Sequence, residues 1–490
     1  MSYCGVKHQK QHWSSHRSQC SPWKICQSDQ LGHYLVAGRD LEPGDLVLDE
    51  DVAVLGPADD ESRVCTGCYF PTHGYTCSTC GAPLCGPSCE HNSDHQQECE
   101  VISRYAAGDQ DIQQFISVLR FLRLKTSDPA RYKKCRQLST NLELRRDQPD
   151  FQSTRDKVAE FIKIFPDIAT EEVVLAIFCI LDTNTFQVLS SGSAYTLSGL
   201  YPRVSLLNHS CVPNCRLVFR SDYSLQVVTS VRVRRGDTLC ISYTPPFYSV
   251  IARNNILQRG KQFTCSCARC SDPTELGTRV SSMRCTRGDT CGGSYQHCQD
   301  YSGDWRCSDC DHTLPYSDYA LMDARLLGVQ TRFDKSDVDQ MKSILREQRG
   351  TVSPDHGLIL EVEQHLAAAL GRVDGYRFDQ ISDEDLQLKI DISQHLMKVL
   401  NVLEPGLSKS RGITLLDMAE CKARLILKSK DQDDAAKYTR LLKVEEELAE
   451  AWSILKYEDE KAIEGNVSKK AQADLKQLRH HLNILKSNLK

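Results

Sequence analysis

The chain has 490 residues, enough for two to four domains, and its 40% hydrophobic and 26% charged residues are ordinary for a globular protein. Its net charge of -5 and isoelectric point near 6.3 exclude the basic excess that binding through phosphate contacts requires. Direct nucleic-acid binding is therefore not expected, and a protein or peptide partner is favoured.

The first residues lack the apolar run of a signal peptide, and the longest apolar run, residues 173–181, is too short to span a bilayer. We therefore expect no membrane association and a cytoplasmic or nuclear location. In such a reducing compartment the 24 cysteines favour metal sites over disulfides, and zinc is the metal that their short spacings suit.

Strand and helix patterns alternate along the chain, and helices predominate towards its end. In chain order, the predicted elements are strands at residues 32–37 and 46–48, helices over 101–189, strands at 215–219, 225–233 and 239–243, and helices beyond 310. The pattern predicts a β-rich core that is interrupted by a helical insert and followed by a helical domain.

Eight potential zinc ligands lie in four regularly spaced pairs within 35 residues. They are Cys65, Cys68, Cys77, Cys80, Cys85, Cys89, His95 and Cys99. Because zinc takes four thiolate or imidazole ligands, and a close pair can come from one turn, the segment predicts two tetrahedral sites. The alternative is a set of free buried cysteines.

Two further cysteine groups lie near residues 265 and 300. Cys265, Cys267 and Cys270 supply three thiolates, and Cys211 is the candidate for the fourth position. The second group consists of Cys285, Cys291, Cys307 and Cys310, which predict a ribbon-like site, with unliganded cysteines as the alternative.

The start of the chain offers a fifth potential ligand set. Its candidates are Cys4, His8, His16 and Cys20. The leading CxxC pairs of a complete finger are missing, so metal binding here competes with a partly ordered remnant helix.

The run Asn208-His209-Ser210-Cys211-Val212-Pro213-Asn214 carries the NHSCxPN signature and resembles SET domains. The finger at residues 65–99 resembles the MYND finger. With the cysteines that begin at Cys265 downstream, the order resembles the SET-and-MYND methyltransferase family over residues 25–310, and the double finger is similar to its arthropod branch.

This resemblance implies an α+β fold with a split, β-rich SET domain, an inserted MYND finger, a post-SET zinc site and an all-α, TPR-like C-terminal domain. The expected boundaries are 1–24 for a partial MYND-like segment, 25–60 for the first SET part, 61–99 for the finger, 100–195 for the helical insert, 196–250 for the second SET part, 251–315 for the post-SET region and 316–490 for the helical domain.

The resemblance also implies S-adenosylmethionine as cofactor, and the paired cysteine sets predict three to four structural zinc ions. The implied cofactor contacts are Gly32, His33, Asn184, Ser205, Leu207, Asn208, His209, Tyr243 and Phe263, with Tyr243 as the catalytic residue that orients a substrate lysine. In the finger, it implies that the first and third ligand pairs share one zinc and the second and fourth pairs the other, while Cys211 completes the set of Cys265, Cys267 and Cys270.

Two positions depart from the family pattern. Tyr34 stands at the second glycine of the usual Gly-x-Gly turn, and Lys261 stands where relatives often have a second channel tyrosine.

The first hypothesis is a protein-lysine methyltransferase acting on a histone or another protein. The alternative is a weak or inactive scaffold, a transcriptional cofactor or interaction module whose finger docks proline-containing peptides. A third hypothesis makes the C-terminal helices a peptide-holding array.

Overall fold

The computed structural model describes residues 6–8, 10, 21–58, 64–105, 112–190, 195–287, 291–297, 301–429, 433–462 and 465–489. Three predicted ligands of the N-terminal segment, Cys4, His16 and Cys20, lie outside these residues, whereas the fourth, His8, is described and exposed. The N-terminal metal site therefore stays a prediction.

The strands of the described residues form five small sheets. They are β1 (Trp23–Ser28), β2 (Gly32–Ala37), β3 (Leu46–Glu50), β4 (Val54–Pro57), β5 (Thr185–Leu189), β6 (Thr196–Leu200), β7 (Asn208–His209), β8 (Cys215–Phe219), β9 (Leu225–Thr229), β10 (Cys240–Ile241), β11 (Tyr295–His297), β12 (Trp305–Cys307) and β13 (Thr313–Leu314).

Two antiparallel pairs, β3 with β9 and β4 with β6, join segments that are far apart in the sequence. The sheet orders are β1-β2, β3-β9-β8, β4-β6-β5 and β11-β12-β13, whereas β7 and β10 pair in parallel. Alternating apolar side chains of these strands, such as Leu35, Leu48 and Val227, are buried in one hydrophobic core. The chain on both sides of the finger and the helical insert thus builds one β-rich unit.

The helices before residue 290 belong to the insert and to the region after it. They are α1 (Ser93–Tyr105), α2 (Ile116–Ser127), α3 (Pro129–Arg136), α4 (Leu142–Arg145), α5 (Phe151–Ile164), α6 (Glu171–Asn184), α7 (Val250–Lys261) and α8 (Ala268–Ser271). Phe115 and Phe161 pack edge to face in the insert core, with ring centroids 5.5 Å apart.

The helical prediction over residues 101–189 extends too far, because residues 185–189 form strand β5. The chain leaves α6 at Asn184 and pairs with β6 from Thr185 to Leu189. The polar run from Asp182 to Thr185 separates the apolar stripe of α6 from this strand, and the β-branched residues Thr185 and Val188 favour the extended backbone.

The remaining helices form the C-terminal domain. They are α9 (Tyr316–Arg332), α10 (Val338–Gln348), α11 (Gly357–Ala369), α12 (Asp383–Leu403), α13 (Lys409–Lys428), α14 (Asp434–Leu455) and α15 (Gly465–Asn488). Ser382, Ser408 and Asp433 cap α12, α13 and α14 by accepting backbone N–H groups. The α+β class and the helical C-terminal region are confirmed.

Candidate cofactor and catalytic site

The parallel pair β7 and β10 holds the Asn208-His209 dipeptide beside the segment that leads to Tyr243. Asn208 pairs with Cys240, and His209 pairs with Ile241. Asn214, the last residue of the NHSCxPN run, fixes this pairing: its Nδ2 donates to the Thr238 carbonyl and its Oδ1 accepts from the Cys240 N–H, both at 2.8 Å. The motif therefore has a structural reason for ending in asparagine.

Tyr243 is held at both ends. Its hydroxyl donates to the Leu207 carbonyl, and its backbone N–H donates to His209 Nδ1 at 3.0 Å. The two rings lie 5.2 Å apart, centroid to centroid. Burial raises the pKa of Tyr243 above its usual value, so the phenol stays protonated at neutral pH.

His209 connects Tyr243 to a cysteine cluster. Since Nδ1 accepts a hydrogen bond from the Tyr243 N–H, the neutral ring carries its hydrogen on Nε2, which lies 3.2 Å from Cys211 Sγ. Burial lowers the pKa of His209 to about 4, Cys267 opposes this shift, and the positive charges of Arg253 and Arg269 add to it. The ring is therefore neutral at physiological pH.

Two polar atoms beside Tyr243 are buried without a hydrogen-bond partner among the described residues. They are the Asn208 side-chain nitrogen and the Thr244 hydroxyl oxygen. A buried donor without a partner costs about 1–3 kcal/mol, so such atoms indicate a missing ligand. Asn208 is a predicted contact of S-adenosylmethionine, and its free amide fits that molecule.

The other predicted cofactor contacts differ in whether the protein itself already occupies their side chains. The Asn184 Nδ2 donates to the carbonyls of Ser139 and Ile180, each at 2.8 Å, so this nitrogen fixes the end of α6. Ser205 Oγ donates to the Asn184 carbonyl at 3.0 Å, which ties the two predicted contacts together. The Phe263 ring lies 6.2 Å from the His209 ring and is 37% exposed, leaving a face open for a ligand.

The glycine turn lies at the tip of the β1–β2 hairpin. Gly32 has a φ of 62°, in the left-handed region that favours glycine, and His33 beside it is exposed. Tyr34 follows as a partly buried strand residue opposite Cys26.

The amine of Lys261 lies against Tyr243 at the candidate site, a contact that the sequence did not predict. Its Nζ is 5.1 Å from the centre of the Tyr243 ring and donates to the Thr183 carbonyl. Burial lowers the pKa of Lys261 to about 8; the Asp182 charge opposes this shift and the Arg145 charge adds to it. The sequence shows the unusual residue type at this position, but the contact with Tyr243 depends on packing between α6 and α7.

The finger ligands form two groups, and in each group the four ligand atoms lie within 4.8 Å of one another. One group is Cys65, Cys68, Cys85 and Cys89, and the other is Cys77, Cys80, His95 and Cys99. His95 Nε2 faces Cys80 Sγ at 3.9 Å, while its Nδ1 is 3.3 Å from the Thr66 hydroxyl. A hydrogen bond on the other ring nitrogen is typical of metal-binding histidines, so this donor set fits zinc.

A third group has four sulfur atoms that also lie within 4.8 Å of one another; its members are Cys211, Cys265, Cys267 and Cys270. Arg253 donates to Cys270 Sγ at 3.4 Å and to Glu275 at 2.8 Å, and Arg269 reaches the same carboxylate at 3.1 Å. Despite burial, these two guanidinium groups lower the pKa of Glu275 to about 2. Four thiolates around Zn²⁺ carry a net charge of about -2. The two buried arginines and Glu275 together carry one net positive charge, which offsets part of it.

The fourth group lies on the β11–β12 ribbon and consists of Cys285, Cys291, Cys307 and Cys310. Backbone N–H groups of Gly293 and Asp309 donate to the sulfurs of Cys291 and Cys307, at 3.4 Å and 3.5 Å. A Cβ at position 293 would lie 2.6 Å from Cys307 Sγ, so only glycine fits here. Amides that point at thiolates suit a structural zinc.

Comparisons with known proteins agree with this geometry. A sequence model of the SET domain matches residues 32–244. The SET domain-containing protein SmydA-8, isoform A, of Drosophila melanogaster is 27% identical over 395 residues, or 75% of this chain and 85% of the relative. Histone-lysine N-methyltransferase ASHR1 of Arabidopsis thaliana is 25% identical over 52% of this chain and 58% of its own. Histone-lysine N-methyltransferase SMYD3 of Homo sapiens is 26% identical over 49% of this chain and 59% of its own length.

The paired strands, the Asn208-His209 dipeptide and this domain match define a SET-domain protein. Within that class, four Cys/His clusters among the described residues accompany the SET domain. In this combination the chain is similar to SET-and-MYND proteins, among them SmydA-8 of Drosophila melanogaster.

Proposed function

We propose that this protein is an S-adenosylmethionine-dependent protein-lysine N-methyltransferase whose substrate is a histone or another protein. The observation that carries the proposal is the fixed position of Tyr243. Its hydroxyl and its backbone N–H are both bonded, and it lies beside the unpaired amide of Asn208.

When bound, S-adenosylmethionine supplies a methyl group activated by its positive sulfur, so the protein needs to contribute positioning and electrostatics. Asn208, His209, Ser205 and Leu207 would hold the cofactor on one side, with Asn184, Gly32, His33 and Phe263 as further contacts. Tyr243 would orient the neutral amine of the substrate lysine, because its phenol stays protonated and its oxygen can accept a hydrogen bond from that amine.

The cysteine clusters have a separate, structural role in this proposal. Each complete set of four ligands leaves no open position for catalysis, so we assign one structural zinc to each described cluster. The residue boundaries given above for the finger, the two SET parts, the insert and the helical domain form part of the same proposal.

We also propose a proline-containing peptide as a partner at the finger and a location in the cytoplasm, the nucleus or both. Among the described residues, no helix is both long and apolar enough to span a bilayer.

A second candidate function has a specific observation in its favour. Lys261 places an amine against the Tyr243 ring, where an aromatic wall would desolvate the substrate lysine better. This favours a scaffold with weak turnover, a transcriptional cofactor or interaction module, as the competing proposal.

The test is transfer of labelled methyl from S-adenosylmethionine to a protein array by the zinc-loaded protein. We expect label on lysine, and we expect Tyr243→Phe to slow transfer by about 10- to 100-fold, since orientation of the reacting groups is lost. Tyr248→Phe serves as a matched control, because Tyr248 is a half-buried tyrosine five residues further on whose carbonyl accepts from Arg253. Equal rates for Tyr243→Phe and the native protein would contradict the catalytic assignment, and cofactor binding without any transfer would favour the scaffold.

A further inference from the structure

Lys261 is the last residue of α7, and its backbone is anchored to the helical insert. Its carbonyl accepts a hydrogen bond from Asn141 Nδ2 at 3.1 Å. Arg145 donates to the neighbouring Gly260 carbonyl at 3.3 Å and to the Thr183 hydroxyl at 3.0 Å. These contacts hold the end of α7 against α6, so the lysine side chain starts from a fixed point.

The amine of Lys261 has an unusual set of neighbours. Nζ donates to the Thr183 carbonyl and lies 5.1 Å from the Tyr243 ring centroid. No carboxylate of the described residues forms an ion pair with it, and the nearby Asp182 pairs with Arg145 instead. A partly buried amine without a counter-ion loses part of its preference for the charged form.

This arrangement has the features that a methyl acceptor needs. Only the neutral amine has the lone pair required for attack, and burial lowers the pKa of Lys261 to about 8, so a sizeable fraction is neutral at physiological pH. A positively charged methyl donor nearby would lower this pKa further by repulsion. The Thr183 carbonyl can hold one N–H while the lone pair points elsewhere.

We propose that Lys261 is itself a methylation site and accepts a methyl group within its own chain. The inference rests on the proposed function and names an acceptor for it. Nζ forms a bond to the methyl carbon of a sulfonium donor as the carbon–sulfur bond breaks. The electron pair of that bond stays on sulfur, the neutral thioether leaves, and the new ammonium releases a proton to water.

Lys456 provides a matched comparison. Its Nζ also lies over aromatic rings, 6.0 Å from Trp452 and 5.4 Å from Tyr457, but the residue is exposed at the end of α14 and outside the candidate site. Contact with an aromatic ring alone therefore predicts modification of both lysines, whereas the proposed role predicts modification of Lys261 only.

The experiment incubates the full, zinc-loaded chain with labelled S-adenosylmethionine and maps the label by peptide mass spectrometry. We expect label at Lys261 in the native protein and in Lys456→Arg, and none at position 261 in Lys261→Arg. The fraction labelled per unit time should not change on dilution, because the reaction is intramolecular. A rate that falls on dilution would overturn transfer within one chain.

A second readout does not depend on turnover. The cofactor-free protein with ¹³C-labelled lysine side chains, titrated by NMR and assigned with Lys261→Arg, should show an apparent pKa of about 8 for Lys261. A value near the ordinary lysine pKa of about 10.4 would contradict the enclosed, unpaired amine.

The outcomes separate this inference from the proposed function. If S-adenosylmethionine binds and label reaches other proteins while Lys261 stays unmodified, the acceptor inference is wrong and the enzyme assignment stands. If the cofactor binds and no lysine is labelled, the acceptor inference is wrong and the scaffold is favoured. If the cofactor does not bind, both proposals fail.

Discussion

His209 lies between the tyrosine of the candidate site and a sulfur atom of the third cysteine cluster. One ring nitrogen accepts the Tyr243 N–H at 3.0 Å, and the other lies 3.2 Å from Cys211 Sγ. A ring held on both sides has one tautomer and one orientation. At the residue scale, the cluster therefore positions Tyr243 through a single imidazole.

A second histidine predicts how stability depends on pH. His395 on α12 lies 2.8 Å from Asp355 and 2.6 Å from Glu363. Hydrogen bonds to these two carboxylates raise the pKa of His395 to about 9, although burial opposes the shift. The folded protein thus holds the proton more tightly than the unfolded chain, whose histidine has a pKa of about 6.5.

We expect the protonated His395 to stabilise the fold fully below about pH 6.5. This stabilisation should disappear as pH rises through about 9, within the range in which both carboxylates stay ionised. His395→Gln should cost about 1–2 kcal/mol at pH 6, after solvent screening, and little above pH 9. Denaturant unfolding at several pH values measures the difference. The control His365→Gln removes one 3.3 Å contact with Glu361 and should leave this pH dependence in place. A constant difference between pH 6 and pH 9 for His395→Gln would contradict the account.

At the element scale, the finger and the ribbon contain little apolar core of their own. Arg120 on α2 fastens the finger to the rest of the fold: it pairs with Glu98 in a buried contact and donates to the carbonyls of Leu55 and Thr66, each at 2.6 Å. Such short segments depend on metal for their fold, at roughly 10–16 kcal/mol per structural zinc in small peptides.

We predict four zinc ions per chain, one for each described cluster. Cys291→Ser should reduce the metal content by one and disorder the β11–β12 ribbon, because the metal holds that ribbon together. The control Cys421→Ser alters a buried cysteine of α13 outside the clusters and should keep all four ions. Metal analysis of the purified proteins measures both. Equal zinc contents in the two variants would refute the fourth site.

The cysteine groups could be anticipated from the sequence because most of their ligands are neighbours in the chain and zinc chemistry fixes their number. The same locality explains the strands at residues 32–37 and 215–219, which the structure reproduces. The strand β5 was missed because it follows α6 directly and only pairing with β6 decides its backbone. The position of the Lys261 amine could not be read from sequence, since it depends on how α6 and α7 pack.

At the scale of the whole molecule, Arg216 of β8 joins the β-rich core to the C-terminal helices. It donates to the carbonyls of Leu407 and Ile454, at 2.8 Å and 3.1 Å, and pairs with Glu458. Asp459 adds a contact by accepting the Ser221 N–H at 2.8 Å. These long-range bonds dock the helical domain on the sheet that carries β8.

We predict that Arg216→Met destabilises the protein by about 3–5 kcal/mol, because Glu458 is then left charged, buried and unpaired. The double variant Arg216→Met with Glu458→Leu should recover part of that loss, since neither buried charge is present while the Leu407 and Ile454 carbonyls still lack their donor. Thermal unfolding measures the destabilisation and its recovery, and limited proteolysis between α12 and α13 provides a separate measure of both. If the double variant were as unstable as the single one, the ion pair would not be the reason for the loss.

Calorimetric titration of S-adenosylmethionine into the zinc-loaded protein and into Asn208→Ala tests cofactor binding at this site most directly. We predict one binding site per chain and an affinity loss of about 10-fold or more in the variant, as expected when a buried hydrogen bond to a charged group is removed. Absence of binding at millimolar S-adenosylmethionine would contradict this prediction.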